Sequence, residues 1–184
     1  VGIVVGGGSG HLPAFAGYVG KGMADGAAFG NIFASPPSKP IVEATIAVNS
    51  GAGVMYTYGN YQGDCINFDK AQDQCRAMGI SVESVVLNDD VLSAPKEAAL
   101  KRRGIGGLFL VWHVAGAKAE QMAPLDQVVA VTQRAAAAHP TPVEPSSFQV
   151  VAMRKAQSMG IIRNDIDASG LARQIFLSYT GAAM

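Results

Sequence analysis

The start of the chain constrains the fold most strongly. An apolar, β-branched run at residues 1–5 is followed by four glycines within residues 6–10. This pattern predicts a buried strand that leads into a loop, and glycines without a Cβ would let the loop's amides approach a ligand. Ser9 and His11 are the loop's chemically active side chains, so we expect this loop to form one wall of an active site. Alternatively, His11 is satisfied by backbone groups at the start of a helix.

Short apolar runs alternate with helical patterns over residues 1–138. The runs predict strands at residues 1–5, 27–34, 53–58, 82–87 and 108–112, and the intervening patterns predict helices at 15–23, 40–48, 66–78, 96–103, 114–122 and 125–138. Such alternation predicts an α/β fold, an open sheet with helices on both faces. Ligands of such sheets bind at the carboxyl ends of the strands, where residues 6–11, 35, 59–64 and 88–90 would converge.

The composition changes after residue 138. Residues 139–147 are rich in proline and predict a linker, and residues 148–184 predict a C-terminal helical segment without strands. We therefore expect an α/β domain at 1–138, a linker at 139–147 and a helical extension at 148–184. Because the chain opens on Val1 in the middle of a strand, we also expect a further segment before it.

Charge and apolar content exclude several classes of protein. Apolar residues make up 49% and charged residues 15% of the chain, with 14 basic and 14 acidic side chains, so no basic patch for nucleic acid is expected. No apolar run approaches the roughly 18 residues of a membrane span, and the balance is typical of a cytoplasmic protein. Cys65 and Cys75 fit neither a zinc pattern nor a redox pair, which predicts packed or half-exposed thiols.

The glycine-rich opening does not fit the common nucleotide motifs. A dinucleotide fingerprint starting at Gly6 would need glycine where His11 stands, and a P-loop ending at Lys21 would need glycine in place of Phe15. Asp89 and Asp90 would point apart at the end of a strand, so we assign no metal. The sequence thus predicts neither a nucleotide cofactor nor a metal within this chain.

The remaining titratable side chains allow two interpretations of Asp64. It either caps the helix that follows, or shares a small pocket with an imidazole, where the pair would hold hydroxyl groups and move a proton. His113 lies in an apolar stretch that predicts a core position, and His139 borders the linker, where we expect it to be solvated.

Several sequence blocks, in a fixed order, resemble the substrate-binding subunit of dihydroxyacetone kinases. They are Gly-Gly-Gly-Ser-Gly-His at 6–11, Gly-Tyr-Val-Gly-Lys-Gly-Met at 17–23, Ile-Phe-Ala-Ser-Pro at 32–36, Asn-Tyr-Gln-Gly-Asp at 60–64, Asn-Phe at 67–68, Asn-Asp-Asp-Val at 88–91, Arg-Arg-Gly at 102–104 and Ala-Gly-Ala at 115–117. The resemblance covers about residues 1–138 and is far more specific than one glycine loop.

The resemblance implies a kinase site for a small ketose, a triose or tetrulose. It implies that Gly8, Ser35 and Asp64 hold the ketose hydroxyls and that His11 acts with Asp64 in proton transfer at the phosphorylated hydroxyl. The matched blocks also make substrate-binding candidates of four further residues: Gly7, Ser9, Asn60 and Gly63. The phosphate would come from ATP-Mg or a phosphorylated carrier on another domain or subunit, and the assembly would be a homodimer.

Two departures from the family pattern leave an alternative open. Gly59 stands where the family has lysine, and the His-Gly-Glu motif that captures the substrate carbonyl does not occur in these 184 residues. A non-catalytic, ketose-sensing regulatory protein of the same fold is therefore the second hypothesis. A pattern over residues 159–176 also resembles ligand-domain helices of TetR-type regulators, with a plain helical extension as the alternative.

Overall fold

A single parallel sheet forms the centre of the molecule. The computed structural model describes residues 1–11 and 13–138, and within them the sheet has four strands: β1 (Gly2–Gly8), β2 (Gly26–Gly30), β3 (Val54–Gly59) and β4 (Val82–Leu87). Their spatial order is β2-β1-β3-β4, with every neighbouring pair parallel. All four strands therefore end at the same edge of the sheet.

Two helices cover each face of this sheet. The helices are α1 (Ser38–Val48), α2 (Gln62–Ala77), α3 (Leu108–Ala119) and α4 (Leu125–Ala138). The first pair packs on one face and the second pair on the other, as the two main groups of buried side chains show. The predicted α/β fold with helices on both faces is confirmed.

Alternating side chains of β3 supply both cores. Met55 packs with Trp112 on the α3 and α4 face, whereas Tyr56 and Tyr58 pack against Phe68 of α2 on the other face. The rings of Tyr58 and Phe68 stack with centroids 4.2 Å apart. This period of two is expected of a central strand buried on both faces.

Two predicted elements are wrong. The apolar run at 108–112 is the beginning of α3 and not a strand, because a run of five consecutive apolar residues has no periodicity that separates strand from helix. The predicted helix at 15–23 shrinks to one 3-10 turn, Ala16–Tyr18. Its glycines favour irregular backbone, and Phe15 before the turn has a φ of +66°.

Other boundaries differ by a few residues. The glycines at positions 6–8 belong to β1, so the first loop is shorter than predicted, and β2 ends at Gly30. Of the predicted helix at 96–103, only Lys96–Lys101 is helical, as a 3-10 segment, and α1 begins at Ser38 without a side-chain cap. The predicted linker at 139–147, the helical extension at 148–184 and His139 lie outside the described residues. Within the described ranges, no helix is both long and apolar enough to span a bilayer.

Candidate functional site

The loops after the four strands meet at the carboxyl edge of the sheet. The Gly10 amide donates to the Ile32 carbonyl at 2.7 Å, which joins the loops after β1 and β2. The Asn60 amide donates to the Leu87 carbonyl at 2.8 Å, which joins the ends of β3 and β4. The predicted convergence of these segments is therefore present in the structure.

The glycines of β1 allow neighbouring parts of the protein to pack closely against this strand. A Cβ on Gly8 would lie 2.5 Å from the Ile32 carbonyl oxygen, and one on Gly6 would lie 2.6 Å from the Ala28 oxygen. A Cβ on Gly7 would collide with the ring of Phe15. Close packing against β2 and the neighbouring loops thus requires these three glycines, independently of any ligand.

The backbone amides of the following loop are also occupied. The Ser9 amide donates to the Asn31 carbonyl at 3.2 Å, and the His11 amide donates to the Gly8 carbonyl at 3.3 Å. With the Gly10 amide bonded to Ile32, the three amides predicted to face a ligand are bonded to the protein. The His11 side chain remains exposed, with its ring centroid 5.4 Å from that of Phe33.

Asp64 lies in the first turn of α2 and is half-buried. Its Oδ1 is inaccessible to solvent and has no hydrogen-bond partner among the described residues. Burial raises the pKa of the Asp64 carboxyl, while the Ser35 hydroxyl and the positive potential of His11 act in the opposite direction. The N-cap residue of α2 is Tyr61 and not Asp64, so the helix-cap interpretation is wrong. Ser35 thus lies within hydrogen-bonding reach of the Asp64 carboxyl, and His11 lies within range of its charge.

Ser35 is oriented by a residue that the sequence analysis did not assign to the site. The side-chain amide of Asn67 donates to Ser35 Oγ at 3.1 Å. Asn67 follows Asp64 by three residues on α2, a spacing that places both on one face of the helix. A Cβ on Gly63 would lie 3.3 Å from the Ser35 Cβ, so the serine sits tightly against this turn. The spacing of three residues between Asp64 and Asn67 was the signal in the sequence that could have placed Asn67 at the site.

Asn60, a predicted substrate-binding residue, uses its whole side chain within the protein. Its Nδ2 donates to the carbonyls of Leu100 at 3.0 Å and Arg102 at 2.7 Å. Its Oδ1 accepts a hydrogen bond from the Cys65 thiol at 3.5 Å. The structure therefore places Asn60 beside the site with its hydrogen-bonding groups already occupied.

Asp89 and Asp90 are buried and organise the backbone after β4. The two carboxylate oxygens of Asp89 accept hydrogen bonds from the Ile105 and Gly107 amides at 2.8 and 2.7 Å. Asp90 accepts one from the Leu92 amide at 3.1 Å. Across the part of the chain that the structure describes, no group of three or more His, Cys, Asp or Glu side chains is arranged for a metal ion.

The remaining predictions concern histidine and cysteine. His113 is exposed on α3, with Nδ1 3.2 Å from Met23 Sδ, so the predicted core position is wrong. α3 buries its opposite side, with Trp112, against the sheet. Cys65 is half-buried and Cys75 buried, both as free thiols, as predicted.

Fold and site together define a class of protein. The chain has a parallel α/β domain with a carboxylate, a hydroxyl and an imidazole at the carboxyl edge of its strands, the edge at which open α/β sheets generally bind ligands. The family described as the Dak1 domain matches residues 1–161, and the chain belongs to that family. The resemblance inferred from the sequence blocks is confirmed.

Similar proteins carry names that agree with this family. A D-erythrulose kinase of Mycolicibacterium smegmatis is 49% identical over 138 residues, which are 75% of this chain and 24% of that protein. The dihydroxyacetone-binding subunit DhaK of a PTS-dependent dihydroxyacetone kinase of Listeria innocua is 46% identical, over 72% of this chain and 40% of the subunit. The crystal structure of the C. freundii dihydroxyacetone kinase with AMP-PNP and Mg2+ aligns with a TM-score of 0.71 and 40% identity, covering 74% of this chain and 25% of that one. The chain thus spans a quarter to two fifths of the length of these proteins.

Proposed function

We propose that the chain is the ketose-binding part of a dihydroxyacetone-type kinase, a phosphotransferase that acts on a terminal hydroxyl of a triose or tetrulose. The observation that carries this proposal is the buried, unpartnered Oδ1 of Asp64 beside Ser35 and His11. A buried polar atom without a partner costs about 1–3 kcal/mol, and a ligand hydroxyl would satisfy it. The names of the similar proteins support a ketose as that ligand.

Asp64 and His11 would manage the proton of the reacting hydroxyl. As the hydroxyl oxygen bonds to the incoming phosphorus, the bond from phosphorus to the donor breaks and the hydroxyl proton moves to the Asp64 carboxylate. The raised pKa of Asp64 makes it a better proton acceptor than an ordinary aspartate, because basicity grows with pKa. The exposed ring of His11 can carry the proton onward to solvent.

The hydroxyls of the ketose would be held by side chains around Asp64. Ser35 supplies a hydroxyl that Asn67 orients, and Gly63 leaves space beside it. The matched sequence blocks add Ser9, Gly7 and Gly8 to the proposed substrate-binding set. Asn60 supports this set from beside it, since its own hydrogen bonds are made within the protein.

The phosphate donor would come from outside this chain. ATP with magnesium, or a phosphorylated carrier, would be presented by another domain or subunit, which accords with the failed nucleotide motifs of the sequence. We also propose a homodimer and a cytoplasmic location, the latter supported by two free thiols. The ketose-sensing alternative is less well supported, since the similar proteins named above are kinases or a subunit of one.

Binding of D-erythrulose and dihydroxyacetone by calorimetry tests the proposal directly. We expect Asp64→Asn to abolish measurable ketose binding or weaken it at least about tenfold, because a charge-assisted hydrogen bond is lost. Asp73→Asn, an exposed carboxylate on the same helix, is the matched control and should bind like wild type.

An assay of phosphate transfer to the ketose then tests the proposed kinase activity. The phosphate donor is ATP-Mg or a phosphorylated carrier protein, each added together with the domain or subunit that presents it. Binding without turnover in either assay would favour the sensor. Equal ketose affinity in Asp64→Asn and wild type would refute the site.

A further inference from the structure

The segment between β4 and α3 crosses the carboxyl edge of the sheet. We call residues 88–107 the strap. Its Gly104 packs directly on the end of β3, since a Cβ there would lie 2.6 Å from the Gly59 Cα. A Cβ on Gly59 would in turn lie 2.9 Å from the Gly104 carbonyl oxygen. The strap therefore lies where any side chain at position 59 would have to go.

Asn60 ties this strap to the turn that carries Asp64. Its Nδ2 bridges two strap carbonyls, those of Leu100 and Arg102, and its Oδ1 accepts from Cys65, the residue after Asp64. Leu100 is 87% exposed, so little apolar packing holds this part of the strap. One amide side chain thus joins the strap to the first turn of α2.

A second asparagine, Asn88 at the start of the strap, holds the same stretch next to the end of β4. Asn88 Nδ2 donates to the Ala99 carbonyl at 3.0 Å, and the Asp90 amide donates to the Arg103 carbonyl at 2.9 Å. Asn88 contacts a different strap carbonyl from those that Asn60 contacts. The two asparagines therefore provide independent ways to loosen one segment.

We propose that Asn60 is a positioning residue that latches the strap against the turn carrying Asp64, so that the strap forms a fixed wall of the ketose site. Asn60 acts through the strap and does not touch the ketose. This inference rests on the proposed function for its ligand, but the latch itself is independent of that function. It replaces the substrate contact that the sequence predicts for Asn60.

Hydrogen exchange and ketose affinity, measured on the full chain, separate this role from a ligand contact. In Asn60→Ala we expect strap amides at residues 91–103 to exchange about tenfold faster without ketose, as expected for two lost hydrogen bonds. The Cys65 thiol should react faster with a thiol reagent, and D-erythrulose affinity should fall at least about threefold. Asn88→Ala should loosen the strap and weaken erythrulose binding in the same direction. Asn49→Ala, a loop asparagine bonded to the Gly51 amide, is the matched control and should change neither.

Three outcomes would overturn the proposal. Weaker erythrulose binding in Asn60→Ala with unchanged strap exchange would show a direct contact. Normal binding in Asn88→Ala despite a loosened strap would show that the strap is not a wall of the site. Faster exchange throughout β1 and β3 would show a general structural role. If the wild-type protein binds no ketose, the proposed function fails. The role of Asn60 in latching the strap is tested separately, since unchanged strap exchange and unchanged Cys65 reactivity in Asn60→Ala would refute it.

Discussion

Replacing Gly8 by alanine tests why the opening of the chain is rich in glycine. The new Cβ would lie 2.5 Å from the Ile32 carbonyl oxygen and 3.0 Å from the Phe33 Cα. Both atoms belong to the backbone, so no rotation of a side chain can relieve the contact. The loop after β2 must move away from β1 by several tenths of an ångström or more.

The expected cost follows from this forced movement. Overpacking of this kind costs about 1–3 kcal/mol of unfolding free energy. For a chain of this size, each kcal/mol lowers Tm by about 2–4 °C. Because Phe33 lies against the His11 ring, the displacement should also weaken ketose binding at the proposed site.

Thermal and urea denaturation of Gly8→Ala measure the cost, with Gly20→Ala as the matched control. A Cβ on Gly20 meets nothing within 4 Å in the described part of the chain, and its φ is not positive, so its stability should change by at most about 0.5 kcal/mol. If Gly8→Ala unfolds at the wild-type temperature, the close approach of the two loops is not a constraint and the reasoning is wrong.

Further predictions concern buried polar groups. Tyr56→Phe removes a hydroxyl that lies 2.5 Å from Thr45 Oγ1, while Thr45 keeps its hydrogen bond to the Ile41 carbonyl. The free energy of unfolding in urea should fall by about 0.5–1.5 kcal/mol. Because burial raises the pKa of Asp64, the contribution of this carboxyl to stability falls as the pH rises through that pKa. Asp64→Asn should therefore be more stabilising at pH 7 than near pH 3, and the reverse order in urea unfolding would contradict this. Burial also raises the pKa of the Cys65 thiol, so its labelling should still accelerate above pH 9, whereas fully buried Cys75 should stay unlabelled in the native protein.

Much of the fold was predictable because its signals are local. The strand at Val82–Leu87 and the helix at Leu125–Ala138 have the predicted bounds, since each combines a clear apolar pattern with turn residues at its ends. The start of α3 was not predictable in this way. Its apolar run resembles a buried strand, and only packing between the sheet and α4 decides that it is helical.

The sequence could predict which residues gather at the carboxyl edge but not which partners each of them has. His11, Ser35 and Asp64 each follow a strand, and parallel strands bring such residues to one edge. The role of Asn60 depends on the strap, which returns to it some 40 residues later in the sequence. A contact of that range leaves no periodic trace in a single sequence, so a side chain that holds the strap looks the same as one that holds a ligand.

The contrast between Asn60 and Asp64 supports the two roles proposed for them. Both lie within five residues at the end of β3, and both carry polar groups that burial would penalise. Asn60 has a protein partner for its donors and its acceptor, so its burial is compensated in the absence of ligand. Asp64 Oδ1 has none among the described residues, and that uncompensated cost lowers the stability of the fold. An unpartnered carboxylate oxygen at the carboxyl edge, near a histidine and an oriented serine, is expected of a ligand-binding position, whereas the fully bonded asparagine is expected of a support.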